Sequence, residues 1–202
     1  MKRFLAILLT TLGLSLSLNA QEHTRPRPTT PAAPRPTPAL PRPTPPATKQ
    51  APVDPGTWAH FNSVGGRFSV LMPEIPEEKV ETTQSDHGPY TTHLFIVRDV
   101  KNVYLIGWVD YDPSFNFNRQ SELEANRDNF VKGVKATLTS TKALNIDGYS
   151  VIEFTADTAE RTFKSRVYMV GRRPYQIVIG YPLGDEDIDL TNRFFKSFKV
   201  TL

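Results

Sequence analysis

Apolar and polar positions in the second half of the chain predict the centre of the fold. Three runs there are rich in β-branched and aromatic residues and are separated by turn-forming segments around Asp157 and Gly171. These runs are Tyr149 to Thr155, Phe163 to Val170 and Tyr175 to Tyr181. Their spacing predicts an antiparallel meander. Because apolar residues stand at both parities of the last two runs, we expect both faces of the sheet to be covered.

Strand-like patterns also precede the meander. Short alternating runs lie between glycine, proline and Asp-Gly type turns, which is typical of hairpins. They cover Trp58 to Asn62, Arg67 to Met72, Lys79 to Gln84, Thr91 to Val97 and Val103 to Val109.

Two segments have helical spacing. The first starts at Ser121-Glu122-Leu123-Glu124, which has the spacing of a capping box. Its apolar face is predicted to hold Leu123, Phe130, Val131 and Val134. The second follows Asp185, Glu186, Asp187 and Asp189, acids that suit a helix N-terminus, and carries Leu190, Phe194, Phe195 and Phe198. One helix on each face of the sheet would make an α+β fold, an α/β/α sandwich.

The N-terminal part has a different composition. Residues 1–20 have the layout of a signal peptide cleaved after Ala20, although an uncleaved anchor stays open because Leu18 stands where a smaller residue is usual. Residues 21–56 are predicted to be a disordered proline-rich linker, with 12 of the 18 prolines between Arg25 and Pro55. The folded domain is expected over 57–202. The protein is therefore predicted to be exported, periplasmic or extracellular, with no stable membrane span after cleavage.

Charge and cysteine content exclude several function classes. Seven basic and two acidic residues precede Thr57, so the rest of the chain has 17 basic and 19 acidic residues. A weakly acidic domain argues against nucleic-acid binding. The chain has no cysteine, which excludes disulfides, thiolate metal sites and a lipoprotein acceptor.

Several short stretches of the domain resemble a known family. They are Trp58 to Phe61, Gly66 to Pro73, Asp147 to Tyr149, Arg166 to Tyr168, Arg173 to Gln176 and Arg193 to Lys199. Together they resemble a group of bacterial exported proteins similar to the PsbP-like fold, which the photosystem II extrinsic protein PsbP shares with the Ran-binding Mog proteins. The resemblance covers about Trp58 to Leu202. It implies an antiparallel sheet between helices and a non-catalytic accessory or binding role, and it assigns no functional residue.

Candidate chemistry in the domain is sparse. No hydrolase, zinc-protease, P-loop or dinucleotide motif is present, so no catalytic residue and no cofactor are predicted. His87 and His93 flank a Gly-Pro turn and form a weak metal-site hypothesis, which needs a further ligand such as Asp86 or His60.

A loop before the first helix supplies the candidate partner-binding residues, Tyr111, Phe115 and Phe117. Exposed aromatic side chains on such a loop would suit a protein interface. The plainer interpretation is that they pack onto the following helix. Arg172 and Arg173 are interpreted as a solvated turn, with anion binding as the alternative.

These features predict a non-enzymatic binding or assembly module of the cell envelope, held by a proline-rich tether and acting on an unidentified envelope protein. The alternative is a small-ligand or metal-binding periplasmic protein, and a hydrolase is the third possibility. The sequence does not predict an oligomeric state.

Overall fold

The computed structural model describes residues 58–85, 88–116 and 118–201. The signal peptide, the proline-rich linker and residues Asp86, His87 and Phe117 lie outside these ranges, so the predictions that concern them stay predictions. The described residues form ten strands and two helices. They are β1 Ala59–Ser63, β2 Phe68–Met72, β3 Glu77–Ser85, β4 Gly88–Arg98, β5 Val103–Tyr111, α1 Arg119–Gly133, β6 Thr137–Ile146, β7 Tyr149–Asp157, β8 Arg161–Val170, β9 Arg173–Pro182, α2 Ile188–Ser197 and β10 Lys199–Val200.

Seven strands form the large antiparallel sheet, in the order β3-β4-β5-β9-β8-β7-β6. The predicted meander is confirmed as β7, β8 and β9, which pair in sequence. Its second turn is shorter than predicted: Arg173 and Pro174 already belong to β9, which leaves a two-residue turn of Gly171 and Arg172. Gly171 has φ +62°, a conformation that glycine adopts without strain. A second, smaller sheet has the order β1-β2-β10.

Successive side chains of a strand point to opposite faces, and the buried residues accordingly fall into two clusters. Tyr104 and Ile106 of β5 belong to a first cluster, which also contains residues of β2 and the α2 residues Phe194 and Phe195. Leu105, between them, belongs to a second cluster with Leu123 and Phe130 of α1. We call the side of the large sheet that carries the second cluster the α1 side. Because each face of the large sheet packs against one of these clusters, apolar residues occupy both sets of alternating positions in the strands.

The start of α1 differs from the prediction. Asn118, not Ser121, caps the helix: its side-chain oxygen accepts hydrogen bonds from the amides of Gln120 (2.9 Å) and Ser121 (3.2 Å). Glu124 accepts from the Gln120 side chain at 2.7 Å and does not reach back to close a capping box. The helix therefore begins at Arg119, because asparagine is as good an N-cap as serine.

The start of α2 is as the acids predicted. Asp187 is the N-cap, with its carboxylate accepting from the Leu190 amide at 2.9 Å. Asp185 and Glu186 pair with Lys101 and Lys164, each at 2.9 Å. Helix capping and surface ion pairs thus account for these carboxylates without a bound cation.

Candidate functional site

The predicted partner-binding loop between β5 and α1 is held closely against the domain. Phe115 is only 5% exposed, and its ring stacks on that of Tyr111 with centroids 4.6 Å apart. Arg172 donates from Nη2 to the carbonyl oxygens of Phe115, Asp112 and Pro113. Because a buried ring cannot meet a partner in this conformation, the placement favours a structural role for Phe115. Partner binding by Tyr111, Phe115 and Phe117 stays a prediction.

Beneath this loop lies a buried carboxyl group that the sequence did not single out. Glu122, in the first turn of α1, is 6% exposed. The Tyr111 hydroxyl donates to its Oε1, and Asn126 Nδ2 donates to the same atom at 2.9 Å. Burial raises the pKa of Glu122 above its ordinary value, and the two hydrogen bonds offset this only in part. Tyr111 and Glu122 thus anchor the end of β5 to the start of α1.

The pattern of apolar residues placed Glu122 off the packed face of α1, and that interpretation was wrong. The structure buries Glu122 and Asn126 together with Leu123 and Phe130. A Tyr seven residues before the N-cap Asn118 is the sequence signal that could have suggested a partner for this carboxyl.

His93 lies in the middle of a strand. It is the sixth residue of the continuous strand β4, about 17 Å along the strand from Gly88 at roughly 3.3 Å per residue. Its ring stacks on Trp108 with centroids 4.3 Å apart. Its Nδ1 is 3.1 Å from Glu78 Oε1, and its Nε2 is 3.7 Å from Asp110 Oδ2.

Asp110 also contacts the positively charged side chain of Arg173. Arg173 Nε lies 2.6 Å from Asp110 Oδ1, and Trp108 Nε1 donates to Oδ2 at 3.2 Å. Arg173 also donates to the carbonyl of Gly65 at 2.9 Å, which ties the β1–β2 turn to the large sheet. Both arginines of the predicted solvated turn therefore make structural contacts. His60 is exposed on β1 and makes no contact with this group, and the described residues hold no cluster of three or more histidines and acids suited to a metal ion.

An apolar groove opens on the α1 side, where α1 lies over β7, β8 and the near part of β9 and leaves β4 and β5 beside it. Its volume is ≈ 310 Å³, counting the space at the open mouth. Seven apolar side chains and one arginine line it: Ile96, Arg98, Val103, Leu105, Phe130, Val134, Phe163 and Val178. The sheet forms the floor and the C-terminal half of α1 forms one wall. Sequence reasoning missed this groove.

Gly180 on β9 is required for the shape of the floor. A Cβ at this position would lie 2.7 Å from Phe163 Cε1 and 2.8 Å from Val103 Cγ1. Both side chains line the groove, so the missing side chain of Gly180 lets them pack against the backbone.

We expect Gly180→Ala to lower the free energy of unfolding by about 1–3 kcal/mol, because Phe163 and Val103 must shift in a packed environment. Urea-induced unfolding of the full chain measures this. Gly65→Ala is the control, since a Cβ there meets nothing within 4 Å, and it should change stability by less than about 0.5 kcal/mol. Equal stability of the Gly180→Ala variant and the wild type would show that the floor is loosely packed.

Comparison with solved structures found proteins similar to this chain. The chain is similar to the solution structure of cyanobacterial PsbP (CyanoP) from Synechocystis sp. PCC 6803, with a TM-score of 0.46 and 12% identity, over 77% of this chain and 99% of that one. At this TM-score the likeness carries no argument about function. No protein-family model and no curated protein matches the sequence. Neither described helix is long and apolar enough to cross a bilayer.

Proposed function

We propose that the protein is an exported, non-enzymatic binding or assembly module of the cell envelope, which holds a protein partner in the apolar groove on the α1 side. The observation that carries the proposal is the groove itself. Its lining includes the half-buried side chains Ile96, Val103, Val134 and Phe163, which remain open to solvent beside a helix that covers the rest of this side. Apolar concavities of this kind are where proteins bind partners and ligands.

The rest of the sequence supports the same function. The signal-peptide pattern over residues 1–20 supports export, and the proline-rich segment 21–56 supports a tether for the domain. The two buried clusters support an α/β/α arrangement in which α1 and α2 cover opposite faces of the sheet. The absence of hydrolase and cofactor motifs from the sequence supports a role without catalysis.

Site-specific photo-crosslinking in cells tests this function. Benzoylphenylalanine at position 96 or 134 of the full chain should give one discrete adduct, because both positions line the groove. The same label at Thr139, an exposed residue of the edge strand β6, is the control and should not give that adduct. The adduct at position 96 should persist when residues 25–55 are deleted.

Two outcomes would contradict the proposal. If the label at Thr139 gives the same adducts as the label at position 96, the groove is not the docking site. If deletion of residues 25–55 abolishes the adduct, the tether and not the domain binds the partner.

A further inference from the structure

The mouth of the groove carries an arginine without an acidic partner. Arg98 is exposed at the end of β4, where it pairs with Val103 of β5, and both residues line the groove. Among the described residues, no carboxylate forms an ion pair with Arg98. The nearest acid in sequence, Asp99, accepts hydrogen bonds from Asn102 Nδ2 (3.1 Å) and the Tyr104 hydroxyl (2.9 Å). An uncompensated guanidinium therefore stands beside an apolar surface.

A second arginine lies at the same end. Arg161 Nη1 donates to the carbonyl oxygens of Lys101 (3.0 Å) and Gly180 (3.5 Å). Gly180 is the residue against which Phe163 and Val103 pack, so Arg161 reaches the same end of the groove as Arg98. No carboxylate in the described part of the chain forms an ion pair with Arg161 either. Both arginines at this end of the groove therefore lack an ion-pair partner among the described residues.

Size and charge together define what the groove accepts. The groove is shallow, because its ≈ 310 Å³ includes open space at the mouth, so it suits surface contact with one apolar side chain better than enclosure of an extended ligand. Arginine binds carboxylates through two parallel hydrogen bonds, and it does so most strongly beside an apolar surface that excludes water. The ligand that suits the groove best therefore carries an apolar side chain and a carboxylate within a few ångströms of each other.

We propose that the groove binds the apolar C-terminal residue of a partner protein, with its side chain against the half-buried Ile96 and Phe163 and its α-carboxylate at Arg98, next to Arg161. This inference rests on the proposed function and names the chemistry of the partner. A C-terminal residue carries both groups on one Cα. An internal Asp or Glu would need a second ordered residue to supply the apolar group, at an additional cost in entropy.

Titration with two small probes tests this inference, monitored by ¹H–¹⁵N NMR of the full chain. N-acetyl-leucine has the free carboxylate, and N-acetyl-leucinamide is its neutral counterpart. We expect both to shift the resonances of groove residues, and N-acetyl-leucine to bind about tenfold more tightly, the difference expected for a charge-assisted hydrogen bond. In Arg98→Gln the two probes should bind equally.

Arg119→Gln is the matched control, because Arg119 is exposed at the start of α1, away from the groove lining, and its loss should leave the preference unchanged. A third probe, N-acetyl-glutamyl-leucinamide, offers the carboxylate from a side chain; tighter binding of this probe would overturn the chain-end assignment. If the two leucine probes bind equally to the wild type, the inference fails and the proposed docking site stands. If neither probe shifts groove residues, the docking site itself fails.

Discussion

Phe130→Ala should lower the free energy of unfolding by about 3–5 kcal/mol, the range for truncating a fully buried phenylalanine. Phe130 is 1% exposed on the inner face of α1. Its ring makes edge contacts with Phe154 and Phe163, with centroids 5.8 and 5.6 Å apart. The substitution would leave a cavity between α1 and the sheet and would remove one wall of the groove. Urea-induced unfolding of the full chain, followed by circular dichroism, measures the loss.

Phe194→Ala separates the effect on stability from the effect on the groove. Phe194 is fully buried on α2, in the cluster that does not line the groove, and should lose a similar amount of stability. Under conditions where both variants are folded, Phe194→Ala should still bind N-acetyl-leucine, and Phe130→Ala should not. If Phe130→Ala loses less than about 1 kcal/mol, α1 does not pack as the structure shows.

Local patterns predict most of the secondary structure of this domain, because helices and strands depend on the spacing of residues that are close in sequence. The alternation in β7, β8 and β9 and the turn at Gly171 identify the meander directly. The acids before Leu190 identify α2, and the apolar spacing of Leu123 and Phe130 identifies α1. The exact start of α1 was missed because Asn118 and Ser121 are both good N-caps, and only the tertiary position of the loop decides between them.

The candidate site could not be predicted in the same way because its residues are distant in the chain. Arg98 and Val103 come from one hairpin, Phe130 from α1 and Phe163 from β8. They meet only because β5 pairs with β9, a contact that joins residues more than 60 positions apart. The buried position of Glu122 has the same origin, since its hydrogen-bond donor Tyr111 belongs to another element. Binary patterning assigns a glutamate to solvent unless a partner is known.

The pH dependence of stability should reveal the buried Glu122 carboxyl. Burial raises its pKa in the folded state, so between the unfolded and folded pKa values the native protein binds more protons than the unfolded chain. Its contribution is therefore fully present below the unfolded pKa and is lost as pH rises through the folded pKa. Burial raises the pKa of Asp99 and Glu153, but hydrogen bonds, together with Arg166 and Lys142 beside Glu153, outweigh it and lower both pKa values, so these two groups act in the opposite sense. The informative quantity is the difference in unfolding free energy between the wild type and Glu122→Gln.

We expect the unfolding free energy of the wild type minus that of Glu122→Gln to fall as the pH is raised from 4 to 8. Glu122→Gln therefore gains stability relative to the wild type at the upper end of this range. The glutamine oxygen can still accept from the Tyr111 hydroxyl and Asn126, and it carries no charge to bury. Glu122→Ala removes an acceptor that the Tyr111 hydroxyl and Asn126 share and should cost about 1–3 kcal/mol at pH 5, the range for losing a buried hydrogen-bond partner. Urea unfolding of the three proteins at each pH gives the comparison. A difference that rises with pH would mean that Glu122 is ionised at little cost, and that its hydrogen bonds outweigh its burial.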